Sequence, residues 1–460
     1  MKGQNTMSED ILPLLNKYDL PLPRYTSYPT VPYWEKESIN VDSWKKSVID
    51  TFKKENGELC IYIHLPFCEN LCTFCACNKR ITTNHKVEEP YLVTVLKEWE
   101  MYRSLLPSEP IIREIHLGGG TPTFFSPENL VRLIKGIIKN AKVLPEHEFS
   151  IEVHPNYTKE EHLEQLAGVG FNRISLGVQD FDPAVQFVIN RIQSFEKTKE
   201  VVDWARKHGY TSINVDLIYG LPKQTVSSID FTINIIKELK PDRIAFYSYA
   251  FVPWKSKAQR RYTKADLPKA NEKWKMYQLG KTMLTAQGYK AIGMDHFALP
   301  NDKLFEAVSN GTMHRNFMGY TTTQSKLIIA LGASSIGDAW TAFMQNEENV
   351  EEYQEKIMQG ELPMKNGHLL TEEDLIIRKN ILDLMCRGNT VLDDKTFDAE
   401  SLADCLEEFS LLEKDGLIIL NGNSITVTEK GSLFIRNISS VLDARLRRNK
   451  TEGNQFSKSI

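Results

Sequence analysis

Residues 59–77 read Leu-Cys-Ile-Tyr-Ile-His-Leu-Pro-Phe-Cys-Glu-Asn-Leu-Cys-Thr-Phe-Cys-Ala-Cys. The first part, 59–67, is an apolar, β-branched run that reads as a strand. It opens into a loop in which Cys68, Cys72 and Cys75 stand at a three-then-two spacing, with Cys77 just beyond. Such a loop can wrap three thiolates around one face of an iron–sulfur cube. A cube has four irons, so three local cysteines leave one iron open to a non-protein ligand. An open iron suggests chemistry rather than simple electron carriage. Zinc is the competing reading. Structural zinc sites usually draw their ligands as two separated pairs, and no second Cys or His pair follows here.

Outward from this stretch, strand and helix patterns alternate as far as residue 298. Strands are expected at 59–67, 112–117, 148–154, 173–178, 212–219 and 243–249, each a short β-rich run ending in Gly, Pro or a polar residue. Helical patterns lie between them, at 130–140, 159–167, 195–208 and 226–239. The alternation predicts a parallel sheet with helices outside. Six such units suggest a partial barrel that stays open at one side, with 289–297 as one further strand. The expected class is α/β, a partial (β/α)6 barrel with an N-terminal arm and a small C-terminal winged-helix-like α+β domain.

In α/β barrels the chemistry collects at the C-terminal strand ends. Here the second strand runs into Gly118-Gly119-Gly120-Thr121-Pro122-Thr123. Glycines let backbone approach a ligand closely, though such a loop can equally be only a tight turn. Glu152 lies on the third strand, Gln179 ends the fourth, Arg191 follows it, and Asp216 lies on the fifth. A carboxylate among apolar neighbours costs free energy unless it is paired. Carboxylates at successive strand ends point to a ligand, with local capping as the alternative.

The expected division is 1–57, an arm and lead-in helix; 58–300, the barrel; 301–369, a connecting segment with cofactor contacts; and 370–460, the small domain. Residues 1–37 are rich in Pro and Tyr, and the prolines disfavour a regular helix there. The aromatics Tyr25, Tyr28, Tyr33 and Trp34 are costly to leave in water, so the arm is expected to pack over the main domain. The small-residue run 332–337 suits either a close ligand contact or a packed turn. In the last part, helices are expected at 372–386, 401–413 and 429–442. A hairpin is expected around Asn421-Gly422-Asn423. Wings often bind DNA, but fold alone does not give function. The basic stretch 445–450 reads as a solvated tail or a substrate-side contact.

Composition sets outer bounds. The chain has 460 residues, 41% hydrophobic and 25% charged, with a formal net charge of −4. No bulk basic field favours nucleic acid. No apolar run is long enough to span a membrane, and residues 1–10 lack the pattern of a signal peptide. Seven cysteines, four of them within ten residues, do not form a disulfide framework. They fit a reducing cytoplasm. A monomer is the default expectation.

The cysteine spacing, with Phe74 just before Cys75, resembles the radical S-adenosylmethionine (SAM) superfamily. In that superfamily the open iron of a [4Fe-4S] cluster binds SAM, and reductive cleavage releases a 5′-deoxyadenosyl radical. Further stretches sharpen the likeness: Arg24-Tyr25-Thr26-Ser27-Tyr28-Pro29-Thr30, Cys77, 118–123, 171–181, 216–224, Gly293-Met294-Asp295-His296-Phe297-Ala298 and His314-Arg315-Asn316-Phe317. Together they resemble the oxygen-independent coproporphyrinogen III oxidases, also called coproporphyrinogen dehydrogenases. The arm and Cys77 set the chain apart from haem-chaperone relatives.

That resemblance implies oxidative decarboxylation of two propionates of coproporphyrinogen III to vinyl groups, giving protoporphyrinogen IX in haem biosynthesis. The radical would abstract a hydrogen β to each carboxylate, after which carbon dioxide and one electron are lost. It also implies site residues. Cys68, Cys72 and Cys75 match the cluster ligands. Tyr62, Phe74, Gly119, Gly120, Thr121, Glu152, Gln179, Arg191, Asp216, Ala250 and Ile336 fall where the family contacts one or two SAM molecules. Cys77 and Tyr62 are the expected catalytic side chains. Arg24 and Arg315 are candidates for the propionates, because a guanidinium matches a carboxylate fork; a structural ion pair is the alternative for each. An electron donor and acceptor are implied but not identified.

The chain departs from the family pattern at two places. Met318 stands where a Gln is common, which bears on the second SAM. His154-Pro155-Asn156 replaces a common Asp-Pro-Arg. Two alternative functions keep part of the resemblance: a haem-opening radical methyltransferase, and a haem chaperone that binds without turnover.

Overall fold

The computed structural model describes residues 6–392, 399–449 and 456–459. Twelve strands form one sheet. In chain order they are β1 (Glu58–Leu65), β2 (Ile111–Gly119), β3 (Lys142–Val153), β4 (Phe171–Gln179), β5 (Ser212–Tyr219), β6 (Arg243–Ser248), β7 (Lys290–Ile292), β8 (His296–Ala298), β9 (Ile328–Leu331), β10 (Ile336–Asp338), β11 (Ala342–Asn346) and β12 (Met364–Leu369). Across the sheet they run β12-β11-β10-β9-β1-β2-β3-β4-β5-β6-β8-β7.

β1 to β6 pair in parallel, each with its successor. These are the six expected units of the partial barrel. One face of these strands packs against the covering helices, where Ile61, Ile63, Ile115, Leu117, Ile151, Ile174, Leu176 and Val215 are fully buried. Each such side chain is worth about 1.5–3 kcal/mol when removed from water. The covering helices start where the sequence supplies caps. Thr225 accepts from the Ser228 amide, and the Ser228 hydroxyl accepts from the Thr225 amide, at the head of the helix Val226–Leu239. Such a box stabilises a helix start by about 1 kcal/mol.

The sheet differs from expectation at both ends. The single strand expected at 289–297 is a hairpin of β7 and β8, and β8 runs antiparallel to β6. The chain must turn at Gly293, where φ is +55° and an added Cβ would lie 2.2 Å from the Tyr320 ring. On the other flank β9 adds in parallel to β1 and continues into the antiparallel β10 to β12. Residues 332–335 form a packed turn that leads into β10. Its Gly332 amide donates to Glu98 at 2.8 Å, and Glu98 also accepts from Tyr353 at 2.6 Å and Asn346 at 2.7 Å.

The N-terminal segment contains a regular helix, Thr6–Tyr18, with Pro13 inside it. This corrects the reading from prolines. A proline inside a helix costs about 3 kcal/mol, and burial of Ile11, Leu14, Leu15 and Tyr18 offsets it. These side chains, with Tyr25 and Tyr28, pack against Ile377, Ile381, Phe409 and Phe434 of the C-terminal part. Trp34 alone of the four aromatics stacks on the main sheet, 5.3 Å from Phe343. Arg436 fastens the arm: its guanidinium donates to the carbonyls of Leu22, Pro23, Ser457 and Lys458.

The C-terminal part carries helices Glu372–Arg387 and Ala399–Lys414 and a three-stranded sheet in the order Asn389–Val391, Ser424–Val427, Ile418–Asn421. The helix expected at 429–442 is divided into a 3-10 turn, Gly431–Phe434, and a short helix, Ile435–Ser440. Gly431 crosses Leu417 so closely that a Cβ would fall 1.8 Å from its carbonyl oxygen. The basic stretch is engaged rather than solvated. Arg445 pairs with Asp374 and Glu35, and Arg448 pairs with Glu373; Lys450 lies outside the described residues.

Candidate active site

The cysteine loop leaves β1 at the open end of the barrel. Its base is closed by the Arg80 amide on the Pro66 carbonyl at 2.7 Å and the Thr82 amide on the Cys68 carbonyl at 2.9 Å. Cys68 is buried, Cys72 and Cys75 are half-buried, and Cys77 is exposed. The Thr121 hydroxyl donates to Cys68 Sγ at 3.3 Å, and Arg191 Nη1 donates to Cys72 Sγ at 3.5 Å. Burial pushes the Cys68 thiol up to about 11, with the neighbouring Cys75 and Cys72 charges adding to the rise. The hydrogen bond with Cys77 pulls Cys75 down to about 6. Lys79 Nζ closes the loop on the Cys75 and Cys77 carbonyls at 3.1 and 3.2 Å.

Among the described residues, no three His, Cys, Asp or Glu side chains are gathered to hold a metal ion. A cube makes a different demand, because each thiolate takes its own iron. Three thiols on one short loop, two of them already facing N–H or O–H donors, fit such a cluster. Hydrogen bonds to its sulfurs tune its potential.

The glycine loop after β2 backs the cysteines. The Gly120 amide donates to Leu65 O at 2.8 Å, and the Thr121 amide donates to Phe67 O at 2.9 Å. A Cβ on Gly120 would lie 2.7 Å from the Pro66 carbonyl carbon, and one on Gly119 would lie 2.8 Å from the His64 ring. No side chain fits at either place.

Tyr62 stacks on His116 with centroids 5.9 Å apart, and its hydroxyl lies 3.1 Å from His64 Nδ1. His116 in turn lies 2.7 Å from Ser150 Oγ and 3.2 Å from Glu152 Oε1. Burial would raise the Glu152 carboxyl, but the His116 bond and charge outweigh it and hold the group below the usual range. Asp216 behaves oppositely. Burial, with the Glu152 charge, pushes it up to about 6, against hydrogen bonds from Asn214 at 2.8 Å and Ser175 at 3.3 Å. Glu152 and Asp216 line one cavity together with His116, Met318 and His296.

The remaining expected residues divide. Gln179, at φ +70°, and Arg191 meet over Gly177, whose carbonyl accepts from Arg191 Nη2. Phe74 turns its ring toward the cluster of Tyr249 and Tyr262. Ala250 and Ile336 do not line the Glu152–Asp216 cavity. The Ala250 carbonyl accepts from Gln259, and Ile336 packs with Phe317 and Phe343. His154 is buried; burial and then the Arg191 charge drive its imidazole down to about 2, so it is neutral.

Arg24 and Arg315 come together. Arg24 Nη2 donates to Ser248 O at the end of β6, at 2.7 Å. Arg315 donates to the Arg24 carbonyl, lies over the Tyr320 ring at 4.4 Å, and keeps a buried Nη1 that has no hydrogen-bond partner among the described residues. Arg24 also borders a cavity lined by Lys273, Arg436 and Asp295. Sequence reasoning gave no role to His64, His116, Lys273 or Arg436. The two histidines carry a signal, since His64 sits two residues from Tyr62 on the same strand face and His116 lies opposite Tyr62 on the neighbouring strand. The two cations come from helices remote from every quoted motif.

A family model, the radical SAM superfamily, matches residues 62–236. The oxygen-independent coproporphyrinogen III oxidase of Pseudomonas aeruginosa is 38% identical over 444 residues, covering 94% of this chain and 95% of that protein. The enzyme of the same name from Escherichia coli is 38% identical over 456 residues, covering 98% of each. A solved structure of coproporphyrinogen III oxidase from Escherichia coli, described as a radical SAM enzyme, superposes with a TM-score of 0.86. It is 36% identical and covers 92% of this chain and 97% of that one.

Proposed function

The chain belongs to the oxygen-independent coproporphyrinogen III oxidases of the radical SAM superfamily, and from that membership we propose that it decarboxylates two propionates of coproporphyrinogen III to vinyl groups without oxygen. The observation that carries this reading is the combination of a three-thiol loop at the barrel mouth with two arginines that meet from 291 positions apart. A [4Fe-4S] cluster with SAM supplies a carbon-centred radical able to take hydrogen from an unactivated C–H bond.

The chain's own groups hold and orient. Cys68, Cys72 and Cys75 are the proposed cluster ligands. Thr121 and Arg191 donate toward two of their sulfurs. Gly119 and Gly120 admit SAM along bare backbone, with Tyr62, Phe74, Gln179, Glu152 and Asp216 around it. Glu152 stays ionised beside His116 and so can accept from an ammonium. Asp216, with its raised carboxyl, sits in the same cavity as the weaker acid. Ala250 and Ile336 are proposed at the edge of this site, Ala250 through its carbonyl. Arg24 and Arg315 hold propionates and set the β-hydrogen near the radical carbon, where a misplacement of about 1 Å can lower the rate on the order of a hundredfold. Cys77, exposed beside the loop and hydrogen-bonded to Cys75, is proposed as a catalytic side chain next to the cluster ligands.

No helix among the described residues is long and apolar enough to cross a membrane, and the seven cysteines are free. Both agree with action in the cytoplasm. The test is anaerobic turnover of reconstituted protein with coproporphyrinogen III, SAM and dithionite. Vinyl products with methionine and 5′-deoxyadenosine are expected. No turnover, together with tight haem binding, would overturn the reading in favour of a chaperone.

A further inference from the structure

Residues 254–264 read Trp-Lys-Ser-Lys-Ala-Gln-Arg-Arg-Tyr-Thr-Lys, five cations and no carboxylate in a chain of net charge −4. The segment includes a 3-10 turn, Lys257–Arg261. Side chains three apart eclipse in that geometry, and here every third one faces inward. Ser256 Oγ donates to the Cys75 carbonyl at 3.0 Å, Gln259 Nε2 to the Phe74 carbonyl at 2.9 Å, and Tyr262 OH to the Thr73 carbonyl at 3.3 Å. Three successive carbonyls of the cysteine loop are thus held by one strap. Ser256, Gln259 and Tyr262 are buried, whereas Lys255, Lys257, Arg260, Arg261 and Lys264 are exposed. None of the five enters an ion pair among the described residues, and the acid nearest in sequence, Asp266, is taken by Lys223 at 2.8 Å. Trp254 stands 48% exposed at the head of the strap. Leu71 within the cysteine loop, and Phe187 and Ile192, are also exposed.

We propose that the outer face of residues 254–264 is the docking surface for an acidic one-electron carrier that reduces the cluster held by the cysteine loop. The proposal rests on the reading of Cys68, Cys72 and Cys75 as cluster ligands. The carrier loses one electron and the cluster gains it; no proton or group moves. Five unpaired cations around a tryptophan match an acidic protein surface, and such complementarity mainly raises the encounter rate. The cations line none of the cavities described above, whereas a small anionic substrate takes a concave site. A carrier seated here would lie one side chain from the loop backbone, and redox encounters of this kind need little buried area.

The test uses the reconstituted full chain and, as probe, an acidic plant-type [2Fe-2S] ferredoxin. Binding of the oxidised probe is measured by calorimetry, and SAM cleavage is driven either by the reduced probe or by dithionite. The triple variant Lys255→Glu/Lys257→Glu/Arg261→Glu, and Lys257→Glu alone as the milder change, should weaken probe binding. The triple change should do so by about tenfold, with a similar loss of probe-driven cleavage. Dithionite-driven cleavage and iron content should stay at the native level, and raising salt from about 0.05 M to about 0.3 M should reproduce the loss in the native chain. Unchanged probe binding in both variants would overturn the proposal. So would a raised KM for coproporphyrinogen III under dithionite, which would assign the strap to substrate. Native protein that holds no cluster would overturn the function reading itself, and is told apart by its iron content.

Discussion

Arg315 and Arg24 share one backbone carbonyl: Arg315 Nη2 and Nε donate to Arg24 O at 3.2 and 3.4 Å. The contact fixes the arm at the barrel mouth and leaves Arg315 Nη1 buried with no partner among the described residues. A carboxylate arriving there would satisfy it. Arg315→Lys keeps the charge but loses the planar fork. We expect KM for coproporphyrinogen III to rise by about tenfold or more, the worth of one charged hydrogen bond of about 1.5–3 kcal/mol. Iron content and SAM affinity should be unchanged, as measured by metal analysis and equilibrium dialysis.

Cys77 bonds to Cys75 yet stands outside the three-thiol set. Cys77→Ala is therefore expected to load iron as the native chain does, whereas Cys68→Ala, Cys72→Ala and Cys75→Ala each lose it. Decarboxylation by Cys77→Ala should fall by about a hundredfold or more, as for a reacting group misplaced by about 1 Å. Normal turnover would remove Cys77 from the mechanism.

Met318 borders the Glu152–Asp216 cavity, and its amide is taken by Asn316 at 2.9 Å. A thioether offers a second SAM no strong hydrogen bond. The native chain is expected to bind about one equivalent of SAM tightly, and Met318→Gln to restore a second through one added hydrogen bond of about 1 kcal/mol. Dialysis stoichiometry against SAM concentration reads this directly.

Glu98 lies at the centre of the turn that carries Gly332. Burial pushes its carboxyl up to about 7, against the hydrogen bonds from Tyr353, Gly332 and Asn346. Its folded value lies above its unfolded one. Its contribution to stability is therefore complete below about pH 4.5 and is lost as pH rises through about 7. Glu98→Gln should flatten this part of the profile. The difference in Tm between variant and native chain, followed from pH 5 to pH 8, should move in favour of the variant as pH rises. A constant difference would contradict the assignment.

Much of this architecture was legible where it is local. The helix Val226–Leu239 begins and ends where its pattern does, because Thr225 and Ser228 cap it within four residues. The strand expected at 112–117 is Ile111–Gly119. What stayed hidden depends on distant partners. β9 pairs Ile328 with Cys60, and nothing in either run names the other. The arm helix survives Pro13 only because the C-terminal part covers it. Arg24 and Arg315 were candidates separately, but their shared carbonyl exists only in three dimensions. The inward side of the strap was missed for the same reason: its three-residue spacing means something only opposite the carbonyls of Thr73, Phe74 and Cys75.

Arg436 binds carbonyls from both extremities of the chain, Leu22 and Pro23 on one side and Ser457 and Lys458 on the other. The first and last segments are therefore a single knot, and Arg24 is the next residue along the cord. An affinity handle, a fusion or a trimmed tail at either end tugs on that arginine, so an inactive preparation made in this way would report on its handling before it reported on its chemistry.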